Sequence, residues 1–211
     1  IPFTNGNNLM YQGLDFHKQG NLLAVGNNQG NDSQILQINE DNTYETKSYI
    51  LRGHIGSVKF SSDGSKLLTG SWKQKTTDIW NTETGESIFS ITSGSWYPKW
   101  SPNEKSILLG RHQGRVAAVV HIESGEIKEF QHEEIIWHNA AFDPSGRKIL
   151  TFGKPVPTEP IQNYYIWDVG SQKIDVILSH ENKSISETVK KHSWENNDGT
   201  GMGISYSVGS F

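Results

Sequence analysis

The sequence lacks cysteine, which excludes a disulfide framework and any metal site built on thiolates. It lacks an apolar run of the roughly 20 residues that a helix needs to cross a bilayer, and no segment has the features of a secretory signal peptide. Only 34% of the residues are hydrophobic, which suits a helical bundle badly. The net charge is −4, so no bulk electrostatic attraction toward nucleic acid or an anionic membrane is expected.

The chain is rich in the residues that build strands and turns. It holds 21 glycines and 7 tryptophans among long stretches of Asn, Ser and Thr. This composition is typical of many short strands joined by polar turns. With 211 residues, the chain is also long enough to bury a substantial core.

One pattern recurs along the chain: an aromatic residue, a polar turn, an apolar triplet and usually a glycine. The aromatic positions are Phe16, Phe60, Trp100, Phe142 and Trp194. The first three steps match the roughly 40–45 residues that a four-stranded propeller blade occupies, and the longer last step implies an insertion. The pattern therefore predicts an all-β protein, a β-propeller with four recognisable four-stranded antiparallel blades and a partial fifth.

The turn residues agree with this interpretation and give the predicted boundaries. Asp63-Gly64 and the run 144–146 (Pro-Ser-Gly) supply tight turns in which glycine takes a positive φ.

No segment of comparable length has convincing helical periodicity. We treat residues 1–211 as a single propeller domain or a portion of one. The predicted blades lie near residues 13–53, 54–94, 95–134 and 135–181, with the partial blade at 182–211.

These residues resemble the WD40-repeat family. The second copy carries Gly53-His54, the turn 61–64, the run 68–71 and Ile79-Trp80-Asn81, and the fourth copy carries Ile166-Trp167-Asp168. The combination at a period of about 40–44 residues is specific for a propeller. A weaker resemblance, to TolB-like and prolyl-oligopeptidase-type propellers, rests on residues 99–103.

The WD40 resemblance implies a hydrogen-bonded network within the second blade, formed by His54, Ser71 and Trp80. The aspartate that completes this network in the family is missing from the turn at residues 72–76. We therefore expect these blades to depend more on packing than on the network. Trp80 and Trp167 are expected to lie in the blade core.

Ring closure has two solutions in the sequence. A propeller must join its first and last blades, because open strand edges aggregate. The chain can be part of a larger ring of about seven blades, with the remaining blades or subunits elsewhere. Alternatively, a strand at residues 8–12 can complete a fifth blade begun by the C-terminal residues. We expect the larger ring, because the last copy stops after its second strand.

No motif predicts catalysis, a cofactor or a bound metal. A group of possible metal ligands occurs at His132, Glu133, Glu134 and His138. We interpret it as a solvated loop between two blades rather than as a metal site. The stretch around Ser205 is similar to a G-x-S-x-G nucleophile elbow, yet no Asp or His follows it in this sequence. We therefore predict a protein that is not an enzyme.

The predicted binding surface lies where loops enter the first strand of a blade and leave the second, as in WD40-like propellers. Exposed aromatic side chains at such positions often carry binding energy. The candidates for a partner-binding face are Trp72, Trp96, His112, Trp137 and Lys154.

The sequence thus favours a non-enzymatic scaffold or adaptor subunit of a multiprotein assembly. Its expected partners are other proteins or peptides, with no nucleic acid and no membrane span. The alternative is a substrate-gating or substrate-binding propeller attached to a hydrolase. The sequence does not fix the compartment, although the cytoplasm or the nucleus is favoured.

Overall fold

The computed structural model describes residues 11–28, 33–50, 53–93, 95–112, 116–131, 135–154 and 163–179. Within these ranges the chain forms sixteen strands and no helix. The strands group into four sheets of four antiparallel strands, and each sheet follows the order of the chain. None of the described residues belongs to a helix that is long and apolar enough to cross a membrane.

Each sheet is one blade. Blade 1 contains β1 (Tyr11–Phe16), β2 (Leu22–Asn27), β3 (Ser33–Ile38) and β4 (Tyr44–Ile50). Blade 2 contains β5 (Ser57–Phe60), β6 (Lys66–Ser71), β7 (Thr76–Asn81) and β8 (Ser87–Thr92). Blade 3 contains β9 (Lys99–Trp100), β10 (Ser106–His112), β11 (Val116–His121) and β12 (Ile127–Gln131). Blade 4 contains β13 (Ile135–Phe142), β14 (Lys148–Lys154), β15 (Asn163–Asp168) and β16 (Lys173–Ser179).

The prediction of an all-β propeller with four-stranded antiparallel blades is confirmed. The proposed fifth copy at residues 182–211 and the alternative closing strand at residues 8–12 fall mostly or wholly outside the described residues. The number of blades in the complete ring therefore stays a prediction.

Three apolar clusters join the blades in sequence order. The first lies between blades 1 and 2 and includes Ile35 and Trp80. The second, between blades 2 and 3, includes Ile79 and Leu109. The third, between blades 3 and 4, includes Trp167. Because side chains alternate along a strand, each blade presents one face to the preceding blade and the other to the next. Trp80 and Trp167 are both buried, as expected.

The turn between the first two strands of a blade is stabilised by a side chain. In blade 2 the Ser61 hydroxyl accepts a hydrogen bond from the Lys66 amide (2.9 Å) and donates to Asp63 (2.6 Å). In blade 3 Ser101 does the same with the Ser106 amide (3.0 Å) and Asn103 (2.7 Å). These contacts explain why the pattern Ser-x-Asp/Asn follows the aromatic position in both copies.

The connections divide into two ends of the molecule. The turns that join the first strand to the second and the third to the fourth lie at one end, which we call the lower end. Because the strands are antiparallel, the connections between the second and third strands and those between blades lie at the opposite, upper end. The predicted partner-binding residues all belong to the upper end.

Candidate partner-binding surface

Three aromatic side chains form a continuous surface at the upper end, which we call the aromatic platform: Trp72, Trp96 and Tyr97. The ring centroids of Trp72 and Trp96 lie 5.3 Å apart with an interplanar angle of 54°. Those of Trp96 and Tyr97 lie 6.3 Å apart at 50°. Trp72 is 41% exposed, Tyr97 is 46% exposed, and Trp96 is partly buried between them. The platform therefore offers aromatic area to solvent on a fixed base.

Trp72 is positioned by the short connection between β6 and β7. The Ser71 hydroxyl accepts a hydrogen bond from the Gln74 amide at 3.3 Å. The Lys75 amide donates to the Trp72 carbonyl at 3.2 Å, and Lys75 has a φ of 54°. A non-glycine residue at positive φ is uncommon and closes a tight turn here. Trp72 is therefore the first exposed residue of this turn.

A buried polar network holds the connection that carries Trp96 and Tyr97. The Ser93 amide donates to the Lys75 carbonyl (2.7 Å). The Ser93 hydroxyl lies 2.8 Å from the Thr77 hydroxyl. The Ser95 amide donates to the Ser93 hydroxyl (3.1 Å). The Ser95 hydroxyl in turn accepts from the Gly110 amide of blade 3 (3.2 Å). Because buried polar groups are costly to leave unpaired, this chain of contacts fixes the connection in one arrangement.

Gly70 allows that connection to pack directly on β6. A Cβ atom at Gly70 would lie 2.7 Å from Pro98 Cδ and 2.8 Å from the Trp96 carbonyl oxygen. The Ser57 hydroxyl also donates to the Trp96 carbonyl at 2.5 Å. The Trp96 backbone is therefore packed against Gly70 and hydrogen-bonded to Ser57. The Trp72 turn and the Trp96 connection thus both adjoin β6.

The innermost strands carry a row of charged residues at equivalent positions: Asp15 on β1, Lys59 on β5 and Lys99 on β9. The Asp15 carboxylate accepts from the Lys59 ammonium (2.7 Å) and from the Phe60 amide (2.8 Å). Burial, and secondly the neighbouring Lys59 charge, lowers the pKa of Lys99. The inner wall of blades 2 and 3 therefore carries two lysines, of which Lys59 is paired with Asp15.

The three residues of the implied network make separate contacts. The Trp80 indole donates to the Thr69 hydroxyl at 2.9 Å, so Thr69 rather than Ser71 is its partner. Ser71 lies two residues along the same face of β6, and its hydroxyl donates weakly to the Gly53 carbonyl (3.4 Å). The His54 Nδ1 atom donates to the Asn28 carbonyl of blade 1 at 2.7 Å. His54 therefore links the upper ends of two blades.

The other predicted face residues are described only by their backbone positions. His112 ends β10 and Lys154 ends β14, both at the upper end, and Trp137 is the third residue of β13. Of the metal-like group, His132, Glu133 and Glu134 lie outside the described residues, as does Ser205. The described ranges contain no cluster of three or more His, Asp or Glu side chains suited to a metal ion.

Sequence reasoning missed Tyr97 as a member of the platform and Thr69 as the Trp80 partner. Tyr97 directly follows Trp96 in the same connection, so its exposed aromatic ring was a usable signal. The sequence analysis also gave no weight to Lys73 and Lys75, which are exposed in the same connection as Trp72.

Comparison with known proteins agrees with the fold. Residues 45–81, which include most of blade 2, match the family described as "WD domain, G-beta repeat". No curated protein matches the chain in sequence. The resemblance to WD40 repeats is thus confirmed in the blade whose motifs are most complete.

Two solved structures illustrate the fold match. The hydrazine synthase of Kuenenia stuttgartiensis aligns with a TM-score of 0.67 at 12% identity, covering 83% of this chain and 51% of that one. The β-propeller domain of Cps50 (Swd1) from Myceliophteria thermophila aligns with a TM-score of 0.62 at 16% identity, covering 82% and 57%. This chain therefore spans little more than half the length of either structure. At these identities the alignments establish the propeller fold alone.

Proposed function

We propose that this protein is a non-enzymatic interaction scaffold, an adaptor subunit of a multiprotein assembly, whose partners bind the upper end of the propeller. The aromatic platform is the observation that carries this proposal. Trp72, Trp96 and Tyr97 form contiguous rings, two of them substantially exposed, over a base fixed by buried hydrogen bonds.

The chemistry of the platform suits binding. Tryptophan and tyrosine are enriched among the residues that dominate interface energies, because they bury large areas at little cost in side-chain entropy. A base that is already ordered reduces the entropy lost when a partner binds. The Ser93–Ser95 network and the Gly70 contact supply that order. The WD40 resemblance of blade 2, from which Trp72 projects, supports the same role.

Site-specific photo-crosslinking tests the proposal. A photoreactive phenylalanine analogue placed at Tyr97 should crosslink the full chain to one or a few defined proteins in extracts of the source cells. The same analogue at Ile88, an exposed apolar residue of β8 away from the platform, is the matched control. We expect crosslinks from position 97 that disappear in Trp72→Ala. Equal yields of the same products from positions 97 and 88 would contradict binding at this end.

A further inference from the structure

We propose that the aromatic platform recognises an acidic peptide segment with an aromatic or large apolar anchor. The anchor stacks on Trp72, Trp96 and Tyr97, and the flanking carboxylates of the segment face Lys73 and Lys75. This inference rests on the proposed function and adds the chemistry of the partner.

The charge beside the platform is of one sign. Lys73 and Lys75 are exposed in the same short connection as Trp72. No aspartate or glutamate occurs among the described residues of this connection or of the two neighbouring connections between blades. These residues are 53–56, 72–75 and 95–98. Lys99, two residues after Tyr97, adds a cation at the start of the inner wall. In these three connections the described residues would therefore offer lysines, and no acidic residue, to the carboxylates of a partner.

The outer turns at the lower end have the opposite character. The outer turns of blades 1, 2 and 3 each carry two acidic residues and no basic one: Glu40 and Asp41, Glu83 and Glu86, Glu123 and Glu126. Of these, Glu83 is paired with Lys47 of β4, and the outer turn of blade 4 carries no charged residue. In the described residues, the lower turns thus hold more acidic than basic side chains, although Lys18, Lys105 and Arg147 lie in the inner ones. A charge difference of this kind favours the approach of an acidic partner to the connection that carries Lys73 and Lys75.

The same charges decide against two other ligand classes. An aromatic cluster can hold a quaternary ammonium such as methylated lysine by cation–π attraction, but Lys73 and Lys75 would repel that cation. Stacking rings with lysines also suit single-stranded nucleic acid. However, long polyanions need many phosphate contacts, and the acidic lower end and negative net charge oppose them. A short acidic segment needs only the few cations present.

Selection from a random peptide library displayed on phage, with the full chain immobilised, tests the inference. We expect enriched peptides that combine an aromatic or large apolar residue with aspartate or glutamate within a few positions. A selected peptide, labelled with fluorescein, should bind Trp72→Ala at least about tenfold more weakly than the unaltered chain. The control Ile88→Ala should leave its affinity unchanged.

The double variant Lys73→Gln, Lys75→Gln isolates the charge contribution. It should weaken binding of the acidic peptide several-fold and flatten the dependence of affinity on salt concentration, while a peptide with the acids replaced by glutamine is unaffected. Thermal unfolding of each variant confirms that it folds.

The outcomes separate this inference from the proposed function. Two results would overturn the acidic specificity alone. One is the enrichment of neutral or basic peptides whose binding needs Trp72. The other is displacement of the acidic peptide by equimolar oligothymidylate. Peptides whose binding is indifferent to Trp72 and Trp96 would overturn the platform as a binding surface, and the proposed function with it.

Discussion

At the scale of single residues, a buried tryptophan–threonine pair recurs in two blades. The Trp80 indole donates to Thr69 in blade 2, and the Trp167 indole donates to Thr151 in blade 4, both at 2.9 Å. In each case the threonine lies on the second strand and the tryptophan on the third. The pair satisfies an indole N–H that burial would otherwise leave without a partner.

Replacing Thr69 with valine tests the value of this pair. Valine keeps the shape of threonine but removes the acceptor, so the buried Trp80 N–H loses its partner. We expect the free energy of unfolding to fall by about 1–3 kcal/mol. Denaturant unfolding measures it, and Thr92→Val on the exposed outer strand β8 is the matched control. An equal effect of the two substitutions would show that the indole contact contributes nothing.

Asp63 provides a pH-dependent prediction. Hydrogen bonds from the Ser61 hydroxyl, and then from the Ser65 amide and hydroxyl, lower the pKa of Asp63 from its ordinary 3.8 to about 2. A carboxyl whose pKa is lower in the folded state stabilises the fold above its unfolded value, and this contribution is lost as the pH falls from about 4 to about 2.

Asp63→Asn should therefore reduce the loss of stability across that acidic window. Asparagine is compatible with the turn, because Asn103 occupies the equivalent position in blade 3 with the same hydroxyl contact. Unfolding free energies measured from about pH 5 to about pH 2 provide the test. Glu123→Gln removes another exposed lower-end carboxylate as a control. If both variants follow the pH curve of the unaltered chain, the Asp63 contacts do not persist in solution.

Residue-scale prediction from the sequence succeeded where the repeat alone determines a side chain's position. The burial of Trp80 and Trp167 and the exposure of Trp72 follow from their places in the repeat. The choice between Thr69 and Ser71 does not, because residues two apart on a strand share a face. Only the diagonal reach of the Trp80 ring across the strand pair selects Thr69.

At the scale of elements, the platform depends on how closely the connection before β9 packs on β6. Gly70 is the point of contact, and the hypothetical Cβ would meet a proline ring and a carbonyl oxygen rather than a flexible side chain. The sequence shows Gly70 as one member of the repeated apolar-plus-glycine pattern. The pattern does not reveal that this glycine supports Trp96, because the contact crosses from one connection to a strand of the preceding blade.

Gly70→Ala should displace the Trp96 connection and separate the platform rings. We expect a destabilisation of about 1–3 kcal/mol, as for overpacking in a close-packed site, and a change in the near-ultraviolet circular dichroism of the tryptophans. Gly170→Ala is the control, since a Cβ there would meet only Asp168 Oδ1 at 3.4 Å. An unchanged tryptophan spectrum in Gly70→Ala would mean that the connection adapts without moving the rings.

At the scale of the whole molecule, the stacking of blades determines which repeat positions are buried. Phe16 and Phe60 occupy the same place in consecutive copies, yet Phe60 is 6% exposed and Phe16 is 59% exposed. Blade 1 covers Phe60, as the first apolar cluster shows. Leu14 and its counterpart Val58 differ in the same way. The sequence repeat does not predict this difference in exposure, because the burial of each position depends on the neighbouring blade.

The difference leads to a paired prediction. Phe60→Ala should lower the free energy of unfolding by about 3–5 kcal/mol, because it empties a packed interface between blades. Phe16→Ala should change it by less than about 1 kcal/mol, as for a surface position. Denaturant unfolding of the two variants of the full chain, side by side, makes the comparison.

A further blade packed on blade 1, as the larger ring predicts, would bury Phe16 as blade 1 buries Phe60. In that arrangement Phe16→Ala becomes as costly as Phe60→Ala, so the ratio of the two losses reports whether the ring is closed in solution.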